Sequence, residues 1–107
     1  MLALPAQSRI FLCQDPVSMR RSFEGLGAII EQLFPKELLS GALFVFLNRS
    51  RDHMKVLFWD RDGFVIYYKR LEKGSFARTM QNTILDRREF LMLLEGIEPK
   101  KIREKVL

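Results

Sequence analysis

The sequence holds one cysteine, one histidine and one tryptophan among its 107 residues, with four prolines and six glycines. A single cysteine, Cys13, excludes an internal disulfide and a cysteine-based zinc site. A single histidine, His53, excludes a histidine-based zinc site and obliges any Ser-His-Asp or Cys-His system to use that one residue. No hydrophobic run approaches the roughly 20 residues of a membrane span, and the N-terminus Met1-Leu2-Ala3-Leu4-Pro5 lacks the basic start and long apolar core of a signal peptide. A cytoplasmic location without a membrane partner is the expectation. There is no internal repeat and no low-complexity stretch.

What is present is ordinary for a globule: 48% hydrophobic and 29% charged residues, with a net charge of +5. The length suits one core. We expect a single domain over 1–98 and a basic tail over 99–107, carrying Lys100, Lys101, Arg103 and Lys105. The basic balance is compatible with nucleic acid or another anionic partner without requiring either.

The most ordered part of the pattern is Gly41 to Phe76. Leu43-Leu47, Met54-Trp59 and Phe64-Tyr68 are apolar, β-prone stretches joined by two charged turns, the signature of a three-stranded meander. In the second turn, Asp60-Arg61-Asp62-Gly63, Gly63 is the natural residue for a left-handed conformation, giving a bulged turn in which Asp60 pairs with Phe64. That register, with Leu47 opposite His53 in the first turn, gathers Phe44, Phe46, Met54, Val56, Phe58, Phe64, Ile66 and Tyr68 on one apolar face. Lys55, Leu57, Trp59, Val65, Tyr67 and Lys69 fall on the other. A two-residue turn would slip the register by one and mix lysines with the apolar set on both faces, against binary patterning.

Upstream, Arg9-Ile10-Phe11-Leu12-Cys13 reads as a short strand. Asp15 is placed to cap, and Pro16 to open, an amphipathic helix to about Phe34 with Met19, Phe23, Leu26, Ile30 and Leu33 as its core positions. Gly25 and Gly27 suggest close packing of that helix on the sheet. Downstream, Phe76-Ala77-Arg78 suggests a further short strand, and the 79–83 stretch has no clear pattern. Asp86 and Glu89 form a capping box, Leu85 is placed to staple onto Phe90, and Gly96 is the expected stop of a second, shorter helix. The fold class is α+β: an antiparallel sheet of four or five strands, a long N-terminal helix and a shorter C-terminal helix against an edge or the second face.

No catalytic, metal or cofactor site emerges. Asp60 and Asp62 lack the further ligands of a calcium loop. Gly25-Leu26-Gly27 lies inside a helix and lacks a P-loop lysine. The acids are interleaved with lysines and arginines rather than converging on one cavity. The constellation with functional content is basic and aromatic: Lys55, Trp59, Tyr67 and Lys69 on the second face, with Arg49, Arg51, Arg61, Arg70 and Lys73 in or beside the turns. Rings can stack bases while cations neutralise phosphates, which makes this a candidate nucleic-acid platform. The alternative is that a helix or partner covers the face and the lysines snorkel at its rim.

Several stretches resemble a known family. They are Pro16 with Met19-Arg20-Arg21 and Phe23-Glu24-Gly25-Leu26, then Gly41 to Phe46, Lys55 to Phe64 with its Trp-Asp-x-Asp-Gly run, Tyr68 to Phe76, and Leu93 to Ile97. Together they resemble the small accessory protein encoded by the second reading frame of the insertion-sequence-66 group of bacterial transposons. The resemblance implies a role in DNA transposition beside a larger transposase that carries the catalytic acids, and it supplies no catalytic residues. It departs from the usual pattern at Ser18, where an Asp commonly stands, and at Ala77-Arg78. The expected function is a non-catalytic accessory factor binding DNA, with weak sequence selectivity, or the transposase, or both. The alternatives are a metal-dependent nuclease or strand-transfer enzyme, and a structural interaction module without DNA contact.

Overall fold

The computed structural model describes residues 8–76 and 82–95. Five strands, β1 (Ile10–Leu12), β2 (Leu43–Leu47), β3 (His53–Asp60), β4 (Gly63–Arg70) and β5 (Ile84–Leu85), form one sheet in the order β4-β3-β2-β1-β5. Two helices, α1 (Phe23–Leu33) and α2 (Arg87–Leu94), complete the α+β fold. The meander β2-β3-β4 is antiparallel, as is the β1-β5 pair, but β1 runs parallel to β2. The sheet is therefore mixed rather than antiparallel throughout. That follows from chain order, because the segment bearing α1 separates β1 from β2 and returns the chain to the same end of the sheet.

The meander register differs from the expectation by one residue at both turns. Asp60 pairs with Gly63, Trp59 with Phe64 and Leu57 with Ile66, while Leu47 pairs with Met54. Phe58 and Lys69 accordingly share a face. The left-handed residue of the second turn is Arg61 (φ 56°), not Gly63, and that of the first loop is Arg51 (φ 60°). Binary patterning misled because both faces are covered: every residue of β2 is buried. One cluster joins Ile10, Leu12, Leu43, Val45, Met54 and Val56 to Phe90, Leu93 and Leu94 around α2. The other joins Phe11, Phe44, Phe46 and Leu57 to Leu26 and Ile30 of α1. Lysines are tolerated on both faces because each finds backbone carbonyls. Lys55 Nζ donates to Met19 O and Arg21 O (2.9 and 2.8 Å), and Lys69 Nζ to Leu94 O (2.5 Å) at the carbonyl end of α2.

The first helix is shorter than its apolar spacing suggests. After β1 the chain continues beside β2, where Cys13 N–H donates to Val45 O and Val17 N–H to Leu47 O (both 2.9 Å), so Pro16 opens no helix. Ser22 takes the N-cap position without a side-chain bond. Of the five expected core positions only Leu26 and Ile30 are buried. A Cβ on Gly27 would meet nothing within 4 Å and one on Gly25 would meet only the Arg21 side chain, so close packing on the sheet does not explain these glycines.

The second helix starts as its sequence dictates. Glu89 N–H donates to Asp86 Oδ1 (2.7 Å) and Asp86 N–H to Glu89 Oε1 (3.0 Å), closing the capping box. Leu85 and Phe90 lie in one buried cluster. Leu85 closes β5, and Thr83, just before that strand, accepts a hydrogen bond from Leu12 N–H (2.7 Å). Phe76 is buried, whereas Ala77-Arg78, the stop at Gly96 and the basic tail lie outside the described residues.

Candidate nucleic-acid interface

The one-residue shift divides the expected platform. Lys55 and Trp59 lie on the α1 face, and Tyr67 and Lys69 on the α2 face. Lys55 is only 8% exposed, holds two carbonyls of the 19–21 segment and lies 4.8 Å from the centre of the Tyr68 ring. Its charge is committed to binding the chain to itself. Lys69 is likewise committed to α2, and Tyr67 packs against the core beneath that helix. Trp59 meets Phe64 edge to face, with ring centres 5.0 Å apart.

The turn cations fall at two ends of the β3-β4 hairpin. Arg61 projects from one turn, near Trp59, where a surface depression is lined by Arg9, Leu39, Ser40, Phe58, Trp59 and Arg61. The β2-β3 loop lies at the other end, about 25 Å away along an eight-residue strand. Arg49, Arg51, Arg70 and Lys73 gather there. Arg70 pairs across the ladder with His53, and Leu71 N–H donates to Asp52 O (2.8 Å). Phe76 N–H donates to Arg51 O (2.7 Å), drawing the segment that carries Lys73 against the loop.

Asn48 shapes this loop. Its Oδ1 accepts from the N–H groups of Asp52 and His53 (both 3.0 Å), and its Nδ2 donates to Asp52 Oδ1 (2.7 Å) and Ser50 Oγ (3.2 Å). Arg51 N–H donates to Asn48 O (3.1 Å), closing a turn that leaves Arg49 exposed at its tip. Asp52 Oδ1 also meets Ser50 Oγ (3.1 Å) and His53 Nδ1 (2.7 Å). These bonds, the one from Asn48 foremost, hold the Asp52 carboxyl well below its usual range. His53 is a partner of Asp52, and its ring lies 5.9 Å from that of Tyr68.

Two cations missed in the sequence belong to the same end. Arg20 and Arg21 are exposed, and the Arg21 carbonyl is held by Lys55, two residues into β3 from His53. The pair was legible as a Met-Arg-Arg run, but assigning it to a helix put it elsewhere. Arg70 Nε also contacts Glu72 Oε2 (3.1 Å), an exposed pair that holds little against competing phosphate.

Among the described residues, no three His, Cys, Asp or Glu side chains come together in a way that could hold a metal ion. Burial pushes the Cys13 thiol up from its usual range, which disfavours a thiolate. No helix among the described residues is long and apolar enough to cross a membrane.

Comparison with known proteins adds the family. The model for IS66 Orf2 like protein matches residues 8–104. The chain is 28% identical over 100 residues to the uncharacterized protein y4jC of Sinorhizobium fredii (strain NBRC 101917 / NGR234), covering 91% of this chain and 86% of that one. It is 32% identical over 69 residues to the uncharacterized protein y4hO of the same organism, covering 64% and 60%. No solved structure matches the chain. The chain belongs to the IS66 Orf2-like family of non-catalytic accessory proteins of transposition.

Proposed function

We propose that this IS66 Orf2-like chain assists transposition by holding DNA against the loop end of its sheet, beside the transposase of the same element. The observation that carries the reading is the convergence of Arg49, Arg51, Arg70 and Lys73 on a loop whose shape Asn48 sets by hydrogen bonds. A pre-shaped loop loses little conformational freedom on meeting a phosphate backbone. Arg20 and Arg21 extend the same surface.

Selectivity for base sequence is weak on this reading. Phosphate contacts position a protein without reading bases, and both helices turn their apolar sides to the sheet instead of offering a reading face to a groove. Within one chain, the depression beside Trp59 and Arg61 lies at the opposite end of the hairpin from the arginine loop.

Engaging about four phosphates gives a slope of roughly −3.6 in log affinity against log salt, or about a hundredfold weakening between 50 and 200 mM. Fluorescence anisotropy with a duplex from the element's end measures it. Arg49→Gln combined with Lys73→Gln is expected to flatten the slope by about 1.8, while Arg61→Gln leaves it unchanged. Binding lost on Arg61→Gln and kept in the double variant would move the site to the other turn, and no binding at low salt would leave the transposase as the partner.

A further inference from the structure

The two edges of the sheet are unlike. β5 is two residues long, and a short edge offers little to another chain. The opposite edge, β4, is eight residues long, has β3 on one side, and has no strand on its other side among the described residues. Its first six residues, Gly63-Phe64-Val65-Ile66-Tyr67-Tyr68, contain no charge and no proline, although Val65 is 37% and Tyr68 52% exposed. Sheets usually protect such an edge with charge, proline or a bulge.

The phase of the ladder shows which groups the edge offers. Asp60 pairs with Gly63, and Leu71 N–H bonds to Asp52 O, so the odd residues of β4 aim their backbone groups at β3. Phe64, Ile66, Tyr68 and Arg70 aim theirs outward.

The edge is complementary to itself. We infer that two copies of this chain pair antiparallel along β4, about a two-fold axis through Ile66, to make one continuous ten-stranded sheet. Faces are preserved by that axis, so Ile66 meets its own copy and Phe64 meets Tyr68 on the α1 side, while Val65 meets Tyr67 on the α2 side. Asp62, exposed in the turn before the strand, then lies opposite Arg70, exposed at its end, and the match occurs twice. A shift by one pair in either direction would lose this. Moved towards the strand's end, the register sets Phe64 against Arg70 and Val65 against Lys69. Within one chain Asp62 and Arg70 stand at opposite ends of the hairpin, so any coupling between them reports on a second copy.

Sedimentation equilibrium of the full chain across the micromolar range tests the pairing, with far-ultraviolet circular dichroism confirming that each variant is folded. The wild type is expected to associate to twice the chain mass. Asp62→Arg or Arg70→Asp, each creating two like-charge contacts, should weaken association about tenfold, and the double exchange should restore most of it. Hydrogen exchange on the wild type gives a reading independent of variants: the amides of Phe64, Ile66 and Tyr68 should gain protection as concentration rises. A folded chain that stays monomeric overturns the inference. So does a dimer indifferent to both single exchanges, or one whose β4 amides exchange at the monomer's rate.

Discussion

Lys55→Met isolates the role of the buried lysine. The substitution keeps the apolar stem among Phe46, Leu57 and Tyr68 but removes the ammonium that donates to Met19 O and Arg21 O. A hydrogen bond from a charged donor contributes about 1.5–3 kcal/mol, and two of them set a gross loss of about 3–6 kcal/mol. Part of that returns because the variant no longer has to desolvate a charge, and because the freed carbonyls, at the edge of the fold, regain water in part. A net loss of about 2 kcal/mol is the expected result, equivalent to roughly 8–16 °C in Tm for a domain of this size. Urea denaturation, followed by tryptophan fluorescence from Trp59, measures it. A loss under about 0.5 kcal/mol, the range of an ordinary surface substitution, would refute the structural role of Lys55. So would a DNA salt slope flattened by one unit with stability intact, which would return the lysine to the binding surface.

The turns give a paired test: Arg61→Gly should be neutral or stabilise by up to about 1 kcal/mol, because Arg61 is the left-handed residue, while Gly63→Ala should change little, its added Cβ meeting open space. Chemical denaturation of the two variants decides, and the reverse order would restore the bulged turn. Gly27→Ala should stabilise by up to about 1 kcal/mol, since the helix gains propensity and the new methyl meets nothing; a loss of stability would reveal an unseen contact. Asp86→Ala should cost about 1 kcal/mol by opening the capping box, read in the same assay. Asp52 has a folded-state pKa below its unfolded value, so its contribution is complete above the ordinary carboxylate range and is lost as pH falls through and below it. Comparing urea midpoints of the wild type and Asp52→Asn from neutral pH downward should therefore show a gap that narrows in acid; a gap that is constant or widens would contradict the assignment.

The parts of the fold legible in the sequence are those set by local chemistry. The capping box at Asp86 and Glu89, the staple from Leu85 to Phe90, and the three strands of the meander follow from residues close in the chain. The register did not follow, because it depends on two non-glycine residues, Arg51 and Arg61, taking left-handed conformations that L-residues rarely adopt, and in the second turn Gly63 was the more favourable candidate. Once the register is one residue off, every side chain changes face. The same error joined Lys55 to Lys69 and Trp59 to Tyr67 in a platform that the fold divides. The start of α1 was obscured for another reason: Met19 and Phe23 keep helical spacing, but Val17 is drawn into backbone bonding with β2 by a contact thirty residues away. The grouping of the turn residues at the loop end does not depend on the register. Arg49, Arg51, Arg70 and Lys73 stay close to the ends of strands whichever way the register falls.

The central claim, that DNA meets the arginine loop end of the sheet, is tested most directly by titrating a short duplex from the element's end into nitrogen-labelled protein at low salt and following backbone amide shifts. Shifts largest at Asn48 to His53 and Arg20 to Arg21 and extending to Arg70 to Lys73 are the predicted result, with only smaller shifts at Asp60 to Gly63, where the second copy sets Asp62 beside Arg70. Shifts concentrated at Asp60 to Gly63, or spectra unchanged by DNA, would contradict it.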